Sequence, residues 1–210
     1  MTAVLFDLDG TLTDTLPLVV VALNAALAPV WGAPRDLAAL RSIFGPSEER
    51  LIAQEAPGDP HAIDRFYAEY RREHERLAHP FPGVPEMLRE LSGRGVALGL
   101  VTNKGRRSSV MTVEAFGIRP YFGSIVTGDD LERPKPDPTG ILRVLGELGV
   151  APADAAYVGD SGSDMRAGRA AGVLAAGAAW QAADVPFADV ILRSPRDVLD
   201  LEVAKGIKRG

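Results

Sequence analysis

Asp7-Leu8-Asp9-Gly10-Thr11 sets two carboxylates side by side, directly after the apolar run Ala3-Val4-Leu5-Phe6. Neighbouring carboxylates resist ionising together, so their pKa values separate. One is then an anion able to attack and the other a proton donor. Attack by a carboxylate on phosphorus forms an acyl phosphate and divides one hard hydrolysis into two easier steps. The obstacle is charge, since an anion must approach a phosphate dianion. A hard cation and fixed positive groups around the transferring phosphoryl would lower that barrier. A plain Asp-Gly turn explains Gly10 and one aspartate, but not two carboxylates ending an apolar strand.

Further along the chain stand the other parts such chemistry needs. Gly159-Asp160-Ser161-Gly162-Ser163-Asp164 follows another apolar run and suits an oxygen-ligated Mg²⁺. The chain has no cysteine and 3 histidines, so a metal must be held by oxygen or imidazole. Lys135 sits between Pro134 and Pro136 in a stiffened loop, and Thr102-Asn103 offers a hydroxyl and backbone N–H groups. Each stretch is weak alone. Their joint occurrence at strand ends carries the weight.

The elements that position them follow from hydrophobic pattern and breakers. Apolar runs at about 3–7, 96–101, 124–127, 155–158, 173–176 and 189–192 read as buried strands. Helices at about 84–93, 106–116 and 138–148 alternate with them, which argues for an open parallel α/β sheet. In such sheets ligands bind at the carboxyl ends of the strands. Residues 14 to about 80 instead hold helical stretches at about 16–30, 36–44, 47–55 and 60–78, with no convincing strand. Asp36, Ser47 and Asp59 are the expected N-caps, with Pro60 at a first helical position. At 210 residues the length prior is roughly 1.4 domains, which fits a core carrying a modest insertion.

Together these stretches resemble the four motifs of the haloacid dehalogenase (HAD) superfamily, and the helical block resembles its α-helical cap of the first type. Phe81-Pro82-Gly83-Val84, Val101-Thr102-Asn103-Lys104, Arg133–Pro138 and Ala167–Gly172 are similar to stretches of the phosphoglycolate phosphatase group within it. The resemblance implies a Rossmann-like catalytic core formed by residues 1–13 and 82–210, with a cap of residues 14–81 inserted after the first strand. It implies Mg²⁺ as cofactor, with Asp7, Asp9, Asp160 and Asp164 around it. Asp7 would be the nucleophile and a ligand. Asp9 would serve as acid and then base, with its backbone carbonyl on the metal. Asp160 would ligate directly and Asp164 would steady the water shell. Thr102, the Asn103 backbone N–H and Lys135 would hold the phosphate oxygens.

The implied activity is hydrolysis of a small, phosphoglycolate-like phosphate monoester through an aspartyl-phosphate. Sugar phosphomutase and inorganic pyrophosphatase chemistry are the alternatives, followed by a non-catalytic phosphate-binding relative. The family's dehalogenases and phosphonate hydrolases lack an acid two residues after the nucleophile, whereas Asp9 is present here. Its sugar phosphomutases carry an arginine in a cap loop that starts with glycine, where this chain reads Gly45-Pro46-Ser47-Glu48. The glycolate enzymes often have proline after the lysine of Thr-Asn-Lys, and here Gly105 follows Lys104. Arg41 and Arg50 are the candidates to meet a substrate carboxylate. The linkers near 13–16 and 79–83 suit a hinge that closes over substrate.

The resemblance implies a small phosphorylated metabolite as partner, and composition argues against nucleic acid and membranes. The 23 Lys and Arg against 28 Asp and Glu leave a net −5, no footprint for nucleic acid or an anionic membrane. Leu16–Trp31, the longest apolar stretch, is shorter than a bilayer span and contains Pro17, Asn24 and Pro29. With no basic segment or cleavage site before the first apolar run, a cytoplasmic location is expected. His74 and His79 fall on different faces of a helix and cannot share a zinc ion. Neither a nucleotide phosphate loop nor a complete dinucleotide fingerprint occurs. The oligomeric state has no signal in the sequence.

Overall fold

The apolar run that ends at the paired carboxylates becomes the centre of a parallel sheet. In the computed structural model, which describes residues 1–181 and 184–206, β1 (Ala3–Phe6) is followed by the two-residue β2 (Thr13–Asp14). Helices α1 (Leu16–Trp31), α2 (Leu37–Arg41), α3 (Glu48–Glu55) and α4 (Ala62–Leu77) come next, and β3 (His79–Pro80) brings the chain back. Then α5 (Val84–Gly93), β4 (Ala97–Val101), α6 (Arg106–Ala115), β5 (Ser124–Val126) and α7 (Thr139–Leu148) alternate. The last elements are β6 (Ala155–Gly159), α8 (Gly162–Ala171), β7 (Leu174–Ala178) and β8 (Val190–Leu192).

The 6-stranded sheet has the order β5-β4-β1-β6-β7-β8, and every pair is parallel. Successive β1 side chains point to opposite faces. Val4 and Phe6 join Met87 and Leu88 of α5 on one side, while Ala3 and Leu5 join Ile141 and Val144 of α7 on the other. Both faces are therefore covered, which is why the strands read as continuous apolar runs. Phe6 lies level with Leu100 of β4 and Val158 of β6, so the residues that follow these three strands emerge together.

The segment between β2 and β3 is a helical bundle with its own apolar core, in which Leu18, Leu23 and Leu27 of α1 meet Phe66, Tyr67 and Tyr70 of α4. The bundle also rests on α6. The Tyr70 hydroxyl is 2.7 Å from Thr112 Oγ1, the Arg107 guanidinium lies 4.0 Å from the Tyr67 ring centre, and the His74 and Phe116 rings are 5.3 Å apart. No helix among the described residues is long and apolar enough to cross a membrane.

Local structure departs from the sequence reading in four places. The two linkers pair as short antiparallel strands, Thr13 with Pro80 and Asp14 with His79, where no strand was expected between 14 and 80. α2 stops at Arg41 rather than near residue 44, because Ile43 and Phe44 both donate to the Leu40 carbonyl and turn the chain before Gly45-Pro46. Asp36 caps as expected, accepting from the Ala39 N–H at 2.9 Å. Ser47 occupies the N-cap position of α3, but its hydroxyl is buried without a hydrogen bond. Asp59 is not the N-cap of α4: it accepts from the His61 N–H at 2.9 Å and pairs with Arg65, and the helix begins only at Ala62.

Candidate active site

Asp7 leaves the end of β1, its N–H still bonded to the Val158 carbonyl of β6 at 2.9 Å. Asp160 follows β6 and Thr102-Asn103 follows β4, the two neighbours of β1. Lys135 arrives from the loop after β5. Its Nζ lies 2.8 Å from Asp7 Oδ1 and 2.6 Å from Asp164 Oδ1, the former an ion-pair contact rather than an aligned hydrogen bond. The Tyr157 hydroxyl accepts from Lys135 at 2.9 Å and donates to the Val101 carbonyl at 2.7 Å. Asn103 holds this loop in register: its Oδ1 accepts from the Lys135 N–H at 2.9 Å and its Nδ2 donates to the Lys135 carbonyl at 3.3 Å.

Asp164 is fully buried at the first turn of α8. Besides Lys135, it receives the Ser161 N–H at 3.0 Å and the Ser161 hydroxyl at 2.5 Å on Oδ2, while Ser161 Oγ accepts from the Asp164 N–H at 3.3 Å. This reciprocal capping box satisfies the start of the helix and fixes the carboxylate in one step. Asp160 accepts from the Thr11 hydroxyl at 3.3 Å. Gly10, at φ +83°, passes so close that a Cβ there would lie 2.4 Å from Asp160 Oδ2. Positive φ and close approach both require glycine at this point.

Asp7, Asp160 and Asp164 each present a carboxylate oxygen, all within 4.8 Å of one another. Burial, with repulsion from Asp164 and Asp7, pushes the Asp160 carboxyl up to about 8. Burial also raises Asp7 to about 6; the Lys135 charge pulls it back, and Asp164 repels. Such a set of hard, mutually repelling oxygens fits a divalent cation such as Mg²⁺, whose charge would offset the repulsion. Lys135 stays protonated, because Asp164 and Asp7 outweigh the burial that alone would lower it.

The Asp9 carboxylate is not part of that cluster. It turns away to the Thr15 hydroxyl of the linker on Oδ1 and to Lys104 Nζ, at 3.0 Å, on Oδ2. Lys104 also lies 3.3 Å from Oε1 of Glu48, at the start of α3. Glu48 in turn accepts from Ser108 Oγ at 2.8 Å and from the Gly105 N–H at 2.5 Å. Burial works against the Lys104 charge, but Asp9, Tyr70 and Glu48 overcome it and hold the ammonium well above its ordinary range.

All seven site residues expected from the sequence converge here, six of them lining one cavity of about 450 Å³. Those lining it are Asp7, Asp9, Thr102, Asn103, Lys135 and Asp160, while Asp164 sits behind Lys135. Three members went unassigned: Lys104, Glu48 and Tyr157. A tyrosine inside the apolar strand before Gly159-Asp160 was a usable signal, since a buried hydroxyl needs partners. Glu48 had none, because an acidic residue in a first helical turn is ordinary. The expectation for Arg50 is corrected: its Nη1 donates to the Leu131 carbonyl at 2.8 Å, and it does not line the cavity. The side chain of Arg41 lies outside the described residues.

Comparison with known proteins bears on this geometry. The family described as haloacid dehalogenase-like hydrolase matches residues 4–178. A phosphoglycolate phosphatase of Escherichia coli (strain K12) is 33% identical, over 93% of this chain and 90% of its own length. The pyrophosphatase PpaX of Bacillus velezensis is 37% identical over 86% of this chain and 84% of its own. The crystal structure of CbbY from Rhodobacter sphaeroides in complex with phosphate shares the fold, with a TM-score of 0.82, 24% identity, and coverage of 94% of this chain and 96% of its own. With its motifs gathered at the strand ends of a matching α/β sheet, this chain belongs to the haloacid dehalogenase-like hydrolases.

Proposed function

We propose that the protein is a Mg²⁺-dependent phosphatase that hydrolyses a small organic phosphate monoester through an aspartyl-phosphate on Asp7. The observation that carries this reading is the separation of the two carboxylates of the motif. Asp7 faces Lys135 and the acidic cluster, while Asp9 is held apart by Lys104 and Thr15. This separation supports Asp7 as nucleophile and Asp9 as acid and base.

Asp7, Asp160 and the Asp9 backbone carbonyl would hold Mg²⁺, with Asp164 steadying the site; when bound, the cation shields the charge of the phosphoryl group against the attacking carboxylate. Lys135, Thr102 and the Asn103 backbone N–H hold the phosphate oxygens. An Asp7 oxygen forms a bond to phosphorus as the bond to the leaving oxygen breaks, and protonated Asp9 gives that oxygen its proton. Asp9, now a carboxylate, takes a proton from water as the water oxygen attacks phosphorus. The bond from Asp7 to phosphorus breaks, inorganic phosphate leaves and both side chains return to their starting states. The helical bundle acts as a cap that excludes bulk water from these steps.

Relatives named phosphoglycolate phosphatase make phosphoglycolate the reference substrate for a first assay, with p-nitrophenyl phosphate as a generic ester. Phosphate release that requires Mg²⁺ and falls at least about a thousandfold in Asp7→Asn is the expected result. Persistent turnover by Asp7→Asn overturns the mechanism. Phosphorus NMR showing an isomerised sugar phosphate in place of free phosphate would overturn the reaction class.

A further inference from the structure

The cavity has two unlike ends. Around Asp7 and Lys135 it is charged, whereas the wall supplied by the helical bundle and the loop before α3 is made of Leu16, Val19, Leu23, Phe44, Pro46 and Leu51. Leu16, Val19 and Leu23 fall at i, i+3 and i+7, one stripe of α1. Val19 and Leu23 also belong to the bundle core, which Leu18, Ala22 and Ala26 fill from the neighbouring stripe of the same helix. Leu16, Val19 and Leu23 thus reach the cavity from the edge of that apolar core.

Charged groups near this wall are committed elsewhere. Glu48 is the one charged bundle side chain among the described lining residues, and hydrogen bonds from Gly105 and Ser108 occupy its two oxygens. Lys104 is shared by Asp9 and Glu48, Lys135 beside Asp7 and Asp164 is taken by the phosphate, and Arg50 is bound to the Leu131 carbonyl. A carboxylate on the leaving group would be desolvated against leucines, beside Glu48, with no uncommitted cation among the described lining residues. Burying a charge without a partner is costly, while burying methylene groups there is favourable.

We infer that the substrate's leaving group is an uncharged alcohol with an apolar body, seated against the α1 and α3 wall, and not a small hydroxy acid such as glycolate. This rests on the phosphatase reading above and names the substrate class for the same site. The alcohol oxygen stays at the charged end, next to Asp9, and the carbon chain extends along the leucine stripe. Recognition of the phosphate is separate from recognition of the body.

The test compares kcat/KM for ethyl, butyl and hexyl phosphate with that for phosphoglycolate, using the full chain with Mg²⁺. Values rising about fourfold for each added methylene, with butyl phosphate exceeding phosphoglycolate by at least about tenfold, are expected. In Phe44→Arg, which adds a cation to the wall, the ratio should move toward phosphoglycolate by about tenfold or more; Leu16→Arg is the second variant if the first does not fold. A flat alkyl series, or phosphoglycolate equal to or better than butyl phosphate, overturns the inference and leaves the phosphatase reading standing. An unchanged ratio in a folded arginine variant also counts against it. Failure to release phosphate from any ester, p-nitrophenyl phosphate included, overturns both.

Discussion

Lys104 of the loop after β4 and Glu48 of the helical bundle face each other at 3.3 Å between Nζ and Oε1, with an Asp9 oxygen 3.0 Å from the same ammonium. One buried cation therefore links the proposed acid and base to the element that closes the cavity. Glu48 is tied further to the first turn of α6 through Gly105 and Ser108. The bundle is thus docked by a buried carboxylate as well as by apolar contact.

Removing the cation should expose this dependence. Lys104→Met leaves Asp9 and Glu48 buried without their shared counter-charge, and a cost of about 3–5 kcal/mol is expected from breaking a buried pair on one side. Urea unfolding of the variant and the parent measures it. A loss below about 1 kcal/mol would mean that the three groups are not coupled as drawn.

Asp9→Asn separates the two half-reactions. It should lower steady-state kcat by about 10²–10⁴-fold, the usual range for losing a general acid and base. With p-nitrophenyl phosphate, whose leaving group needs little protonation, a burst of nitrophenol should precede the slowed steady state. Rapid mixing reads the burst, and its absence would place the lost proton transfer in the first step alone.

The metal-free protein should lose stability as the pH rises. Asp160 and Asp7 are raised from 3.8 to about 8 and about 6, so between these values the folded chain binds more protons than the unfolded one. Their contribution is complete below about pH 4 and disappears as the pH passes through about 6 and then about 8. In chelator, Tm should fall by about 5 °C or more from pH 5 to pH 8. Added Mg²⁺ should restore more at pH 8, because ligation releases those protons. Calorimetry showing a rise in Tm over this range would contradict the site's electrostatics.

Gly10→Ala tests the closest backbone approach. The new Cβ would meet Asp160 Oδ2 at 2.4 Å, and φ +83° adds about 1–2 kcal/mol of conformational cost. Displacement of Asp160 should raise the Mg²⁺ concentration for half-maximal activity by about 10–100-fold. Titration of activity with Mg²⁺ gives the value directly.

Tyr157→Phe removes the hydroxyl that bridges Lys135 and the Val101 carbonyl. A cost of about 1–3 kcal/mol is expected, because a buried carbonyl and a buried ammonium each lose a partner. Thermal unfolding measures the cost, and a KM increase for phosphate esters should accompany it if Lys135 loses its position.

Much of this protein was determined by local sequence. Apolar runs with polar ends marked the six parallel strands; Asp7, Asp9, Thr102, Asn103 and Asp160 announced themselves at or just after strand ends, Lys135 in the proline-flanked loop after β5, and Asp164 in the first turn of the helix after β6. A parallel sheet covered on both faces leaves only those ends open to a ligand, so the strand pattern and the site share one cause. Tertiary structure alone decided which cation meets which carboxylate. The motif pattern assigns Lys135 to phosphate, but nothing in the sequence joins Lys104 to Asp9, or Glu48 to either. The same holds for Arg50, whose charge ends on a backbone carbonyl instead of in the cavity. Side chains distant in sequence become partners through the way the bundle packs on α6, and Coulomb interactions and desolvation depend on those distances rather than on residue spacing along the chain.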